Sequence, residues 1–166
     1  MLELREFVPS DAERIVEWTG DETAFRKWCA DRYDRYPIAP GDMLSFYETA
    51  SKSGWFFPYT AVLDGVPVGH LIIRFPYESR RTARFGFVIV DPSRRGQGLG
   101  RELIEAAKSE AKERFGASEA TIGVFANNLP AHRCYLAAGF KDISSAEEYY
   151  EIFGEKWLCI EMKAEL

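Results

Sequence analysis

Apolar and charged residues alternate from Leu2 to Val8 in LELREFV, the period of a half-buried strand. Ser10 then stands three residues before Glu13, the spacing of a capping box, and Ile15 and Trp18 fall on one face of the helix it would open. Helical spacing continues loosely through residues 21–33 and, after PIAPGD, through residues 43–53. Past that point the period shortens. YTAVLD (59–64) and VPVGHLIIRF (66–75) flank Asp64-Gly65, a dipeptide suited to the positive φ values of a tight hairpin turn. ARFGFVIV (83–90) reads as a further strand, rich in β-branched and aromatic residues. From Leu99, residues Leu103, Ala107, Ala111 and Phe115 recur every four residues with charges between them, and Gly116 stands where a helix would be capped. EATIGVFA (119–126) predicts a strand, PAHRCYLAAG (130–139) a short helix, and EEYYEIF with KWLCIEMKAE a closing hairpin around Gly154. The order β-α-α-β-β-β-α-β-α-β-β predicts an α/β (α+β) fold, a mixed central sheet of about 6–7 strands flanked by about four helices. No repeat or low-complexity linker interrupts it, so residues 1–166 are expected to form one domain.

Composition narrows the function. Hydrophobic residues at 46% and charged residues at 28% suit a soluble globular chain. A formal net charge of -5 argues against nonspecific nucleic-acid binding, although Arg94, Arg95 and Arg101 form a local basic patch. Cys29, Cys134 and Cys159 are far apart and lack any CxxC spacing, so neither a disulfide framework nor a metal site is expected. The first residues lack the apolar core of a signal peptide, and no run approaches the roughly 20 apolar residues of a membrane span. A cytoplasmic protein with no membrane association is the expectation.

The chemistry concentrates at VDPSRRGQGLGRELI (90–104), where a strand meets a helix. A helix N-terminus carries unpaired N–H groups and the positive end of its dipole, and glycines let a ligand approach the backbone closely. A phosphate or diphosphate is the natural occupant, with Arg95 or Arg101 adding a charge. A Walker A loop fails, because Gly100 is followed by Arg101-Glu102 and not Lys-Ser/Thr. A dinucleotide fingerprint fits poorly, because Gly96, Gly98 and Gly100 have the wrong final spacing.

The run resembles motif A of the GNAT acetyltransferases, Gln/Arg-x-x-Gly-x-Gly/Ala, with Arg95, Gly98 and Gly100 at its core and Val90, Asp91 and Pro92 as lead-in. NLPAHRCYLAAGF (128–140) is similar to that family's motif B at Asn128, Tyr135, Gly139 and Phe140. The two lie one helix and one strand apart, as the family requires.

The resemblance implies acetyl-CoA as cosubstrate and no metal. Its diphosphate would lie on the amides of Arg95, Gly96, Gln97, Gly98, Leu99 and Gly100, continued by Arg101. Its pantetheine would pair with the backbone of Val88, Ile89 and Val90 where the fourth and fifth strands splay, and Asn128 would bind the pantetheine or phosphate region. Tyr135 would be the general acid that protonates the leaving thiolate. The acceptor would be a primary amine of a small molecule or peptide, and a homodimer is possible, since family members often dimerise.

The chain departs from the family at the two customary positions of a general-base Glu, which here hold Arg84 and Gly123. Either Glu78, Glu148 or His70 substitutes, or the amine needs no strong base. The same departure motivates an alternative of another class, a catalytically inactive CoA-binding sensor or interaction module. His132 and Cys134, beside Tyr135, read as packing or surface residues, and His70 as a satisfied core histidine. The aromatics of GWFFPY (54–59), with Trp18, Phe25, Trp28, Tyr33 and Tyr36, read first as core and second as an acceptor pocket. Asp31, Asp34 and Glu48 read equally as a solvated face or as an attraction for a cationic acceptor.

Overall fold

Strand β1 (Glu3–Glu6) leads through a single 3-10 turn into helices α1 (Ala12–Trp18), α2 (Glu22–Cys29) and α3 (Pro40–Ser51). Strands β2 (Phe56–Leu63), β3 (Val66–Arg74) and β4 (Thr82–Val90) follow, then α4 (Leu99–Phe115), β5 (Glu119–Phe125), α5 (Leu129–Ala137), β6 (Lys141–Asp142), β7 (Glu148–Ile152) and β8 (Glu155–Glu165). This is a computed structural model, and it describes residues 1–143 and 148–166.

Three helices fill the stretch between β1 and β2 where the pattern order has two. Gly20, at φ +72°, breaks the run after α1, and the Asp21 carboxylate restarts it by accepting the Ala24 N–H at 2.8 Å. The Ser10–Glu13 capping box does not form. The chain enters the helix through the 3-10 turn Pro9–Asp11, and buried Asp11 accepts the Val8 N–H at 3.0 Å. The additional strand, β6, is two residues long and too short to show a period. At the β2–β3 hairpin, Asp64 and Gly65 take φ +51° and +77°, as their pairing predicts.

The sheet runs β1-β2-β3-β4-β5-β8-β6, with β7 also on β8. Every described pairing is antiparallel except β4–β5, which is parallel. Two cores sandwich it. One, with α4 and α5, holds Leu71, Phe85, Leu103, Ile104, Ile122 and Met162; the other, with α1 to α3, holds Ile15, Phe25, Met43, Tyr47, Phe56 and Phe87.

Strand β4 serves both cores by changing faces. Ala83 and Phe85 point into the α4 core, while Phe87 and Ile89 point into the α1–α3 core. Uninterrupted alternation would keep all four on one side. The register explains the switch: Ile72 faces Gly86 and His70 faces Ile89, so β4 carries one residue more than β3 between those pairs. That is a β-bulge. It places Phe87 at φ +48°, an uncommon conformation for a bulky residue. The Trp28 indole N–H donates to Phe87 O at 2.9 Å and its ring packs 5.1 Å from the Phe87 ring, holding the bulge.

Candidate active site

The bulge opens the sheet. Strand β4 pairs with β5 only from Thr82 to Phe85, opposite Glu119 to Ile122. Beyond that the strands diverge. Asp91 donates to Val68 O at 2.9 Å, so by alternation the N–H and C=O of Ile89 also belong to the β3 ladder. The backbone groups of Val88 and Val90 therefore face the gap. Ile89 borders the gap but directs its own polar groups away from it, a placement that differs from Val88 and Val90 within the expected trio.

A cleft of about 790 Å³ follows this gap. Its walls include Val88, Ile89, Val90, Arg95, Gly96, Gly98, Leu99, Gly100, Arg101, Asn128 and Tyr135, so Gln97 is the one residue among the sequence candidates that does not border it. At one end stands the N-terminus of α4. Glu102 is the first residue in that helix to donate back, to Gly98 O at 3.1 Å, which leaves the N–H groups of Leu99, Gly100 and Arg101 without helical acceptors. Gly96 and Gly98 sit at φ +77° and +83°, and a Cβ on either would meet nothing within 4 Å. Their conformation requires glycine, and the space above them stays open to a ligand. Gly100 has a different role: a Cβ there would lie 3.1 Å from Cys134 Sγ, so its bareness lets α4 pack on α5.

Asn128 opens α5 without capping it by its side chain, which is thereby available to the cleft. Tyr135, six residues into α5, is 6% exposed, and its hydroxyl has no hydrogen-bond partner among the described residues. Burial holds its phenol above the ordinary tyrosine range, so it stays protonated. The opposite wall comes from α1 and α2, including Asp21, Lys27 and Trp28. Of α2, only Phe25 and Trp28 were weighed from sequence, as a second reading for an acceptor pocket; Lys27, Thr23 and Ala24 were not. No local motif marks them, because their position depends on how α2 packs over β4. Lys27, Arg94, Arg95 and Arg101 all border the cleft, making a cationic channel in a chain of net charge -5.

The two positions that lack a Glu prove to be one constellation. Arg84 on β4 forms a two-pronged ion pair with Glu161 of β8, with Nη2 3.1 Å from Oε2, and also donates to Thr121 Oγ1 at 3.3 Å. Glu161 is the register partner of Gly123. A Cβ on Gly123 would lie 3.0 Å from Arg84 Nη2 and 3.0 Å from Cys159 Sγ. The volume that a β5 side chain would fill is taken by the guanidinium. Burial opposes the charge on Arg84, but the Glu161 carboxylate more than offsets it and raises the pKa further.

The substitute bases are placed as follows. His70 is fully buried, bonded to the Tyr47 hydroxyl at 2.7 Å and pushed down to about 3 by desolvation, so it is a core histidine. Glu78 is exposed in the turn between β3 and β4. Glu148 is exposed at the start of β7, opposite Cys159. None of the three borders the cleft. His132 pairs with Asp142 at 2.8 Å on the far side of α5, and Cys134 packs on Gly100. The aromatics Phe25, Trp28, Tyr33 and Tyr36 pack on one another between α2 and β4, and of the aromatics weighed for an acceptor pocket, Trp18 and Trp28 also touch the cleft. Among the described residues no cluster of three His, Cys, Asp or Glu side chains could hold a metal, and no helix is long and apolar enough to cross a membrane.

A parallel strand pair splayed by a bulge, with an amide-rich helix start at its mouth, is the arrangement that the resemblance to the acetyltransferases leads one to expect. The family described as "Acetyltransferase (GNAT) family" matches residues 16–140, and the chain belongs to it. A UPF0039 protein of Schizosaccharomyces pombe is 36% identical over 69 residues, which are 42% of this chain and 45% of that protein, so the match spans less than half of the yeast relative's length. Among solved structures, a spermidine N-acetyltransferase from Vibrio cholerae in complex with CoA and spermine superposes with a TM-score of 0.83 at 18% identity, covering 99% of this chain and 95% of that one. A ribosomal-protein-alanine N-acetyltransferase from Brucella melitensis superposes with a TM-score of 0.78 at 21% identity, covering 99% of each. At these identities the structures share the fold.

Proposed function

We propose that this chain transfers an acetyl group from acetyl-CoA to a primary amine of a small molecule or peptide, by direct attack within a ternary complex. The carrying observation is the gap between β4 and β5, with the unpartnered Tyr135 phenol beside it and the bare amides of α4 at its mouth. Family membership and the CoA bound to the Vibrio structure support the same cosubstrate.

Acetyl-CoA supplies the activated thioester. The amides from Gly96 to Arg101 hold a diphosphate, and Lys27, Arg94, Arg95 and Arg101 add opposite charge. Val88 and Val90 accept an amide-bearing arm as an extra strand, because their polar groups lack a strand on that side. An N–H beside the bulge stabilises the oxyanion of the tetrahedral intermediate. Tyr135, kept neutral by burial, passes its proton to the departing sulfur.

The amine must be neutral to attack, and Glu161, the carboxylate beside Gly123, has its oxygens engaged by Arg84. The Arg84–Glu161 pair is internally compensated and supplies no free base, so the acceptor's own pKa matters: an α-amine begins near pKa 8, whereas a lysine begins about 10.4. Water then carries the proton away, with no strong base.

Thiol release with a panel of amines tests this reading. Tyr135→Phe should lower kcat by about 100-fold with the acetyl-CoA Kd unchanged. In the wild type, kcat/KM should rise through the pKa of each acceptor. A limb fixed near pH 5–6 for every acceptor would mean an enzyme base instead. Acetyl-CoA binding with no turnover on any amine would favour the sensor or interaction module.

A further inference from the structure

Arg74 and Arg84 are direct cross-strand partners on β3 and β4. Like charges placed opposite each other destabilise a sheet. Arg84 is compensated by Glu161, but Arg74 has no carboxylate within ion-pair distance among the described residues. It is only partly exposed, and a half-buried guanidinium without a counterion costs stability. Its pKa is lowered by burial first and then by the charges of Arg84 and Arg32. The nearby acids are otherwise engaged: Glu161 with Arg84, and Asp31 with Arg32 at 3.6 Å.

The position of this arginine pair is as informative as its charge. Ile73 and Phe85, the neighbours of Arg74 and Arg84 in sequence, point into the α4 core, so both arginines lie on the opposite face of the sheet. Phe56, the register partner of Arg74, forms an aromatic wall there with Phe46 and Phe87. Arg84 reaches over Gly123, which borders the cleft where β4 and β5 part. Neither arginine lines the cleft itself, but Arg84 touches Gly123 of its wall, and Arg74, unpaired, stands one strand behind Arg84, away from the diphosphate end. Places where local rules are broken without structural compensation are expected at functional or strained positions.

Building on the proposed acetyl transfer, we infer that the acceptor is a small amino-carboxylate, an amino acid or close analogue, whose carboxylate is received by Arg74 while its amine faces the thioester. An arginine is the side chain suited to such a group, since its planar fork matches a carboxylate. A polyamine such as the spermine of the Vibrio complex would meet like charge at the same place.

The test titrates and assays three matched acceptors: an amino acid, its carboxamide and its decarboxylated amine, run across the common side-chain types, with spermidine as the polycationic comparison. Binding is measured with and without CoA, and turnover by thiol release. For at least one side chain, the free carboxylate should improve binding and kcat/KM at least about tenfold over both neutral partners, a difference of about 1.4 kcal/mol. Arg74→Gln should abolish that preference and leave the acetyl-CoA Kd unchanged, and Arg74→Lys should restore part of it. Melting curves confirm that both variants fold; if Arg74→Gln does not, the wild-type panel and Arg74→Lys decide. Equal treatment of all three acceptors, or a preference for spermidine, overturns the inference even where acetyl-CoA binds and turns over. Failure of acetyl-CoA to bind overturns the proposed reaction instead, while the acceptor titrations without CoA still decide the role of Arg74.

Discussion

Asp11 is nearly fully buried, yet it is charged and joins several N-terminal elements. It takes two hydrogen bonds from Arg5, each 2.8 Å, one from the Val8 N–H and one from Thr60 at 2.8 Å, tying β1, the entry to α1 and β2 together. Burial alone would raise its pKa, but these donors outweigh burial and lower it. A carboxylate whose folded pKa lies below its unfolded value of about 3.9 stabilises the protein fully above that value, and the contribution fades as pH falls through the folded pKa. Asp11→Asn should therefore cost about 2 kcal/mol at neutral pH, from the lost charge-assisted bonds. The deficit should shrink below about pH 4, as the wild-type carboxyl also protonates. Denaturant melts of both proteins at pH 7 and pH 3 check it; a deficit independent of pH would mean that the charge on Asp11 is unimportant. Sequence spacing points to a Ser10 cap and gives no sign of this role of Asp11, because its partners Arg5 and Thr60 come together only in the folded sheet.

At the scale of elements, what was legible is what is local. The α4 entry, the Asp64-Gly65 turn and the two motifs each depend on residues within one turn or loop, and their spacing alone was informative. The bulge in β4 was not legible, since nothing in ARFGFVIV marks Phe87 as a residue of positive φ. The Arg84–Gly123–Glu161 constellation was not legible either, because it depends on the register of three strands, one of them late in the chain. The glycines at the α4 entry also divide in a way their spacing conceals. Gly98→Ala meets no neighbour, so its cost is the left-handed backbone, about 1–2 kcal/mol. If that strain relaxes by turning the amides out of the cleft, acetyl-CoA Kd should rise about tenfold. Gly100→Ala presses on Cys134 and should lower the melting temperature with a smaller change in Kd. Calorimetric titration of both variants separates the roles; equal losses of affinity would mean that amide direction at Gly98 has no special part in binding.

Across the whole molecule, the sheet is continuous at one end and divided at the other. Below the divergence, the core under α4 and α5 links β3 and β4 to β5 and β8 through Leu71, Phe85, Ile122 and Met162. Above it, β4 and β5 share no ladder beyond Phe85 and Ile122, and the α2 wall faces the α5 wall across the cleft. A ligand along the gap would add contacts to both sides and supply the hydrogen-bond partners that Val88, Val90 and the α4 amides lack. It would bind the folded chain alone, because these groups converge only when the bulge, the helix start and α5 are in place. Mass action then gives about 2.7 kcal/mol of added stability at a ligand concentration 100 times Kd. For a chain of 166 residues, a shift of roughly 5–10 °C in melting temperature should follow. CoA, which retains the diphosphate and pantetheine, should give most of the shift, and free pantetheine little, since it lacks the anion that the four cations and the helix terminus attract. The shift should also diminish with added salt, as the electrostatic part is screened. Thermal melts with acetyl-CoA, CoA and pantetheine at low and high salt read all of this at once, and an equal response to pantetheine and CoA would remove the diphosphate from the α4 terminus.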